Sequence, residues 1–227
     1  MDKVTKLLII SIFLLIALGV YSNVAEQRAV DQTKLPEKVE LSKGFQRWIT
    51  NLKNKDVNIG GDDFRLQEKV EIYNTKWIKI FSIDEEGRRK EYEKNLEDHR
   101  NIKKVIFSPS DREYIDYRYE DRDGYAQNEV HFYGLKEDKV VDARLVDCSL
   151  RANCYFDRAF FLDNDVFVVT ELSRNIHKHD ETTPECPRSE VCTYTFKVHV
   201  IDLINNSRLV YESEPFEAVW DELMPEL

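Results

Sequence analysis

The residues best equipped for chemistry are four cysteines, Cys148, Cys154, Cys186 and Cys192, spaced as two C-x5-C pairs. Two chemistries use such a set. In an oxidising compartment an even count forms disulfides. In a reducing one, four thiolates hold zinc, but with internal spacings of two to four residues. Five intervening residues fit disulfides better. Of the three connectivities, local pairing of Cys148 with Cys154 and of Cys186 with Cys192 is the simplest, and each small ring would add about 2 kcal/mol in the loop-entropy view.

A second group crowds one polar loop: His177, His179 and Asp180, with Glu181 and Cys186 close by. Imidazole and carboxylate at this density are ligands for zinc or copper. A solvated excursion of the chain explains the same letters. His131 and His199 occupy matching places on two strands, each opposite the apolar set. Two exposed strand histidines, or a pH-sensitive pair if the strands approach, are the readings open to them. Asp121, Asp123, Gly124 and Glu129 hint at a calcium loop, but with Gly124 sixth the loop would need its acids at Tyr119 and Val130. A hairpin turn at Asp123-Gly124 fits better. No nucleophile elbow, zincin, phosphate-loop or dinucleotide fingerprint is present. With 43 acidic residues, adjacent carboxylates occur by composition alone and identify no catalytic pair.

These groups must be positioned by a chain of 227 residues with net charge −10. Hydrophobic residues make up 42% and aromatics 11%, enough for a packed core. An acidic surface repels phosphate backbones, so nucleic acid is not an expected partner. Residues 7–21 read LLIISIFLLIALGVY behind Lys3 and Lys6, and the next basic residue is Arg28. That pattern predicts export, with residues 1–22 serving as a signal peptide or an N-terminal membrane anchor and the rest outside the cytoplasm, either tethered or secreted. Residues 23–40 are polar and read as a linker.

The extracytoplasmic part, 41–227, is predicted to be mainly β. Leu41, Phe45, Trp48, Ile49 and Leu52 recur at helical spacing, with Ser42 as a cap. From Lys69 onward the period is two. Strands are expected around Val70–Ile72, Trp77–Ile83, Arg89–Tyr92, Val105–Phe107, Ile115–Tyr119, Val130–Tyr133, Lys139–Val146, Phe160–Leu162, Val166–Val169, Tyr194–Val200 and Arg208–Tyr211, with a short helix from Phe216 to Leu223. The charged stretch Glu91–Arg100 reads as a helical turn or a loop.

Two stretches repeat. VIFSPSDREYIDY from Val105, then EVHFYGL from Glu129, parallels AFFLDNDVFVV from Ala159, then KVHVIDL from Lys197. Each gives four strands joined by turns. Phe107-Ser108-Pro109-Ser110-Asp111 and Val200-Ile201-Asp202-Leu203 resemble the F-S-P-D-G and I-x-V-x-D-L segments of extracytoplasmic β-propeller blades. The resemblance covers about half the chain and implies an antiparallel meander of two or three four-stranded blade-like units with short flanking helices. Taken together, the expectation is an exported, non-enzymatic binding or assembly module with a protein or glycan ligand and no cofactor. The alternatives are an extracytoplasmic hydrolase with acidic catalytic residues, or a metal-binding protein using the His177–Cys192 loop.

Overall fold

The computed structural model describes residues 33–73, 76–122, 125–149, 151–177 and 185–224, with side chains for all of these except 120–122, 125–127 and 175–177. Residues 7–21, His179, Asp180 and the side chain of His177 lie outside what is described. Among the described residues no helix is long and apolar enough to cross a membrane.

Short helices α1 (Glu37–Glu40) and α2 (Lys43–Lys53) lead into β1 (Phe64–Glu71) and β2 (Ile78–Ser82). Helix α3 (Arg88–His99) follows. Then come β3 (Val105–Phe107), β4 (Glu113–Asp116), β5 (Tyr119–Arg122), β6 (Tyr125–Lys136) and β7 (Lys139–Asp147). The second half holds β8 (Arg151–Phe161), β9 (Val166–His177), β10 (Val191–Asp202), β11 (Ser207–Ser213), β12 (Phe216–Val219) and the single turn α4 (Trp220–Leu223). Sheet I has the order β2-β7-β6-β4-β3, with β5 also on β6. Sheet II has the order β1-β11-β10-β9-β8, with β12 also on β10. Every pairing is antiparallel.

The two repeated stretches are the cores of the two sheets. Each contributes a four-strand meander, and β2 and β1 add a fifth strand to sheets I and II respectively. Among the described residues there are two such sheets and no closed ring. Instead the sheets lie face to face. Ile115, Val130, Phe132 and Val141 of sheet I meet Phe167, Val169 and Ile201 of sheet II, and Phe132 stacks on Phe167 with ring centres 6.0 Å apart.

Equivalent positions of the two units point in opposite directions relative to this interface. Val130 and Phe132 face the interface, while their counterparts Val198 and Val200 face away, toward α2. Ile201 faces the interface, while its counterpart Tyr133 faces away, toward α3. The sheets are thus stacked head to tail, one face of the first on the opposite face of the second. The corresponding turns touch, with the Ser110 amide donating to Asn164 Oδ1 at 2.9 Å, 54 residues on.

Helix α2 seals the far side of sheet II. Ser42 caps it, its hydroxyl accepting from the Phe45 amide at 3.2 Å. Phe45, Trp48, Ile49 and Leu52 share the buried stripe that their spacing predicted. Leu41 precedes the cap and is 69% exposed, so it falls outside that stripe. Leu35 and Val39 are also buried in this core, and the folded unit begins at Lys34. The end of the stretch read as a linker therefore belongs to the fold.

Three local expectations change. Arg89–Tyr92 is helical rather than extended, and the charged stretch Glu91–Arg100 belongs almost wholly to the same three-turn α3. Its run of Arg, Lys and Glu favours helix by side-chain propensity, and only Tyr92 is buried. The expected terminal helix is strand β12 followed by a single turn, because residues 216–219 find an open stretch of β10 to pair with. The calcium reading gives way to a hairpin, since Arg122 pairs with Tyr125 directly across the turn.

Both disulfides form as the local pairing anticipates, Cys148 with Cys154 and Cys186 with Cys192, and no described cysteine is free. The zinc reading of four thiolates falls with them.

Gly134 on β6 stands opposite Glu113 on β4. A Cβ at Gly134 would overlap Glu113 Cβ and lie 3.0 Å from both Glu113 Cα and Phe132 Cζ. Gly134→Ala is therefore expected to cost about 2–3 kcal/mol by overpacking. Urea unfolding monitored by tryptophan fluorescence would show a lower midpoint at unchanged slope, and an unchanged midpoint would contradict this packing.

Candidate functional site

The outer face of sheet I carries the side chains opposite its apolar set: Asp116 on β4, Glu129, His131 and Tyr133 on β6, Asp142 and Arg144 on β7, and Lys79 and Phe81 on β2. Strand register arranges them in two rows across the sheet. Lys79 pairs with Asp142, which pairs with Tyr133. Arg144 pairs with His131, which pairs with Asp116. Helix α3 covers part of this face and leaves a cleft of about 480 Å3 beside it, walled by Arg88, Glu91, Asn95 and His99.

The base of the cleft is aromatic. Tyr133 stacks between Tyr92 of α3 and Tyr114, at 6.1 and 5.6 Å. His99 stacks on Tyr114 at 4.7 Å, and its Nδ1 donates to the Asn95 carbonyl at 2.8 Å. The Tyr114 hydroxyl donates to Asn95 Oδ1 at 2.6 Å, so α3 is fixed to the sheet through its own polar residues. Burial raises the Tyr133 phenol to about 12, helped by the nearby Glu91 and Asp142. Burial also pushes Tyr114 well above the usual phenol range. Both therefore remain neutral donors.

The charged groups are tied to one another. Arg118 grips Asp116 with two parallel bonds, Nε to Oδ1 at 2.9 Å and Nη2 to Oδ2 at 2.6 Å. Glu129 accepts from His131 Nε2 at 2.7 Å and from Arg144 Nη1 at 2.5 Å. Arg144 also reaches Asp147 at 3.2 Å and lies over the Trp77 ring at 3.6 Å. Arg88 bonds Glu91 at 2.8 Å and covers the Phe81 ring at 4.2 Å. Such bidentate and stacked guanidinium contacts fix both partners in place. Lys79 and Asp142, in the first row, make no side-chain hydrogen bond or ion pair among the described residues, so their polar heads remain available to a ligand.

A second polar cluster is closed. Glu171 on β9 is fully buried between the sheets, accepting from Arg151 at 2.7 and 2.9 Å and from His199 Nε2 at 2.9 Å. Burial by itself would raise its carboxyl, but His199 and Arg151 overcome that and hold it at about 2. Burial pushes His199 below the usual imidazole range, against the pull of Glu171. With Nε2 donating to Glu171, the buried Nδ1 has no hydrogen-bond partner among the described residues. Arg208 crosses the interface to the Leu145 carbonyl at 3.0 Å. Cys148, Cys154 and Glu171 lie close enough together for a shared ion, but the two sulfurs are bonded to each other and offer no thiolate. The Arg151, Glu171 and His199 contacts lie within sheet II, and Arg208 supplies the bond to sheet I.

His131 and His199 do not form a pair. They occupy equivalent faces of their sheets, and head-to-tail stacking covers one face and leaves the other open. His199 is therefore buried while His131 lines the cleft. The candidate metal ligands His177, His179 and Asp180 lie outside the described side chains. The neighbouring Cys186 is committed to its disulfide. The cleft residues come from five segments, and each looks like an ordinary solvated strand or helix position in sequence. The signal that leads to them is the polar alternation on β4, β6 and β7, read together with the register.

No family model, curated protein or solved structure matches the chain.

Proposed function

We propose that this protein is an exported binding module and that the cleft on sheet I holds a polyhydroxylated ligand of the glycan class. The observation that carries this reading is the pre-set ladder of donors and acceptors across β2, β7, β6 and β4, with the polar heads of Lys79 and Asp142 open to a ligand. Sugar hydroxyls need donors and acceptors side by side. The carboxylates Asp116, Glu129 and Glu91 are already occupied by Arg118, by His131 with Arg144, and by Arg88. These contacts hold them as fixed acceptors, a geometry that supports binding. Two disulfides are compatible with a location outside the cytoplasm. With the apolar N-terminal segment they support export, either tethered or secreted. The head-to-tail stacking of the two units supports a relationship to propeller-blade repeats.

The test is a panel of soluble neutral and acidic oligosaccharides, screened on immobilised protein and followed by titration of any binder. Asp142→Asn and Lys79→Gln leave the fixed ion pairs intact. Each is expected to weaken a cleft ligand about 10-fold, the equivalent of one charge-assisted hydrogen bond. Binding that ignores both substitutions, or a panel with no binder, would overturn the assignment. Cleavage of a bound member would move the protein to the hydrolase class.

A further inference from the structure

The outer face of α2 is cationic in an otherwise acidic chain. Its sequence, KGFQRWITNLK, holds Lys43, Arg47 and Lys53 and no acidic residue. Phe45, Trp48, Ile49 and Leu52 point into the core, which turns Lys43, Arg47 and Thr50 to solvent on successive helical turns. Arg158 of β8 is exposed beside them and shares one shallow depression with Arg47 and Thr50. Lys43, Arg47 and Arg158 make no side-chain hydrogen bond or ion pair among the described residues. Most acidic groups nearby are engaged elsewhere. Asp157 accepts from Trp48, Asp163 holds Lys38, and the Glu40 carboxyl lies against Gly61. Glu37, at the start of α1, is the exception. The arrangement is unfavourable for the helix itself. Lys43 and Arg47 are like charges at i,i+4, and Lys43 stands in the first turn, where the macrodipole disfavours a cation. Among the described residues neither placement is compensated, which points to an anionic partner outside the fold.

An apolar element adjoins these cations. Leu41, 69% exposed, precedes the Ser42 cap and shares a shallow groove with Gly44, Phe161 and Leu162. Apolar and basic side chains exposed on one helical face are the combination that settles between lipid headgroups and acyl chains. The position of this face in the chain agrees. The folded unit begins at Lys34, and residues 22–33 separate it from the apolar run at 7–21. A segment of that length reaches at most about 40 Å, so in the anchored form α1 and α2 stay near the bilayer. We propose that the outer face of α2, together with Leu41 and Arg158, docks on an anionic phospholipid surface. The acidic remainder of the fold does not prevent this. Fields of exposed charges fade over about 10 Å at ordinary ionic strength, and the stacking of the two sheets alone sets the far side about 10 Å further from the lipid. Repulsion of that remainder selects this face over others. The cleft lies on the outer face of sheet I, opposite α2, so docking leaves it open to solvent.

The full chain carrying Thr50→Cys, labelled there with an environment-sensitive dye and reconstituted with vesicles, tests this. Lys90→Cys on α3, exposed on the opposite side, serves as the reference position. On phosphatidylcholine vesicles containing phosphatidylglycerol, the dye at residue 50 is expected to shift to the blue and to be quenched by nitroxide-labelled lipid. On phosphatidylcholine alone it should report water, as should residue 90 on either surface. The N-terminal segment is the same in every sample, so the difference reports the face and not the anchor. Lys43→Gln and Arg47→Gln are each expected to lower the docked-to-free ratio about 5-fold, the worth of one cation at an anionic surface. Added salt should lower it further without any substitution. Far-UV circular dichroism checks that the surface variants keep their fold. A dye at residue 50 that stays in water on anionic vesicles, or that is quenched equally on neutral ones, would overturn the proposal. So would a shift produced by soluble polyphosphate and by no vesicle, which would mean an acidic polymer in place of a bilayer. None of these results bears on the glycan panel, which reports the cleft.

Discussion

Trp48→Ala is expected to lower stability by about 4 kcal/mol, near the top of the range for truncating a buried aromatic. Trp48 is fully buried where α2 meets sheet II. Its ring packs on Phe45, Phe64 and Phe196 at 5.6, 6.1 and 5.2 Å, edge-on to the last. Its Nε1 donates to Asp157 Oδ2 at 2.7 Å. The substitution removes the rings' common neighbour and leaves that carboxylate unpaired. Because domains of this size are stable by only about 5–15 kcal/mol, a loss of this size leaves little reserve. Trp48→Phe keeps the volume closer and loses only the hydrogen bond and part of the ring, so it should cost about half as much. Equilibrium unfolding in urea measures both. Equal costs for the two variants would mean that packing around Trp48 is not what holds α2 down.

The second large effect lies between the sheets. Glu171→Gln is expected to cost about 3–5 kcal/mol, because removing one partner of a buried ion pair leaves the other's charge uncompensated. The positive groups left behind are Arg151 and Arg208, which share the interface with His199. The same residue sets the acid limb of stability. Glu171 is held at about 2 in the fold against an ordinary value of 4.5. Its contribution is therefore fully present above about pH 4.5 and is lost as pH falls toward 2. His199 adds to the same limb from higher pH. Its folded value lies below the ordinary 6.5, so the neutral ring is favoured by folding, and stability declines as pH falls below 6.5 and the unfolded chain takes up the proton. Unfolding free energy measured from pH 7 to pH 2.5 should fall steadily in the parent chain. In Glu171→Gln it should start lower and lose the part of the slope between about 4.5 and 2. Parallel curves for the two proteins would show that the acid limb comes from other carboxylates.

The cleft and the buried cluster show how two chemically similar sequences reach different ends. E-V-H-F-Y on β6 and K-V-H-V-I on β10 both place a histidine opposite the apolar set. In one, His131 bonds Glu129 beside solvent and lines a cleft. In the other, His199 bonds Glu171 in the dark between two sheets. The alternation of either strand separates its two faces but does not say which face the next layer will cover.

Local patterning in the chain was enough to identify a mainly β domain from its period of two, the capped amphipathic helix with Trp48 on its buried stripe from its helical spacing, and the local disulfides from the cysteine spacing. These depend on neighbours within a few residues, where backbone periodicity, capping chemistry and short loop closure act directly. Helix α3 was only partly legible, because a polar helix lying on a sheet has no apolar stripe to announce it. The cleft and the buried Arg151–Glu171–His199 cluster could not be read from the sequence. Each depends on which strands become neighbours: β2 against β7, and sheet II against the inner face of sheet I. Those neighbours are chosen by burial summed over the whole core, a quantity no local window contains, and it is this choice that makes one histidine a surface donor and its counterpart a buried strut.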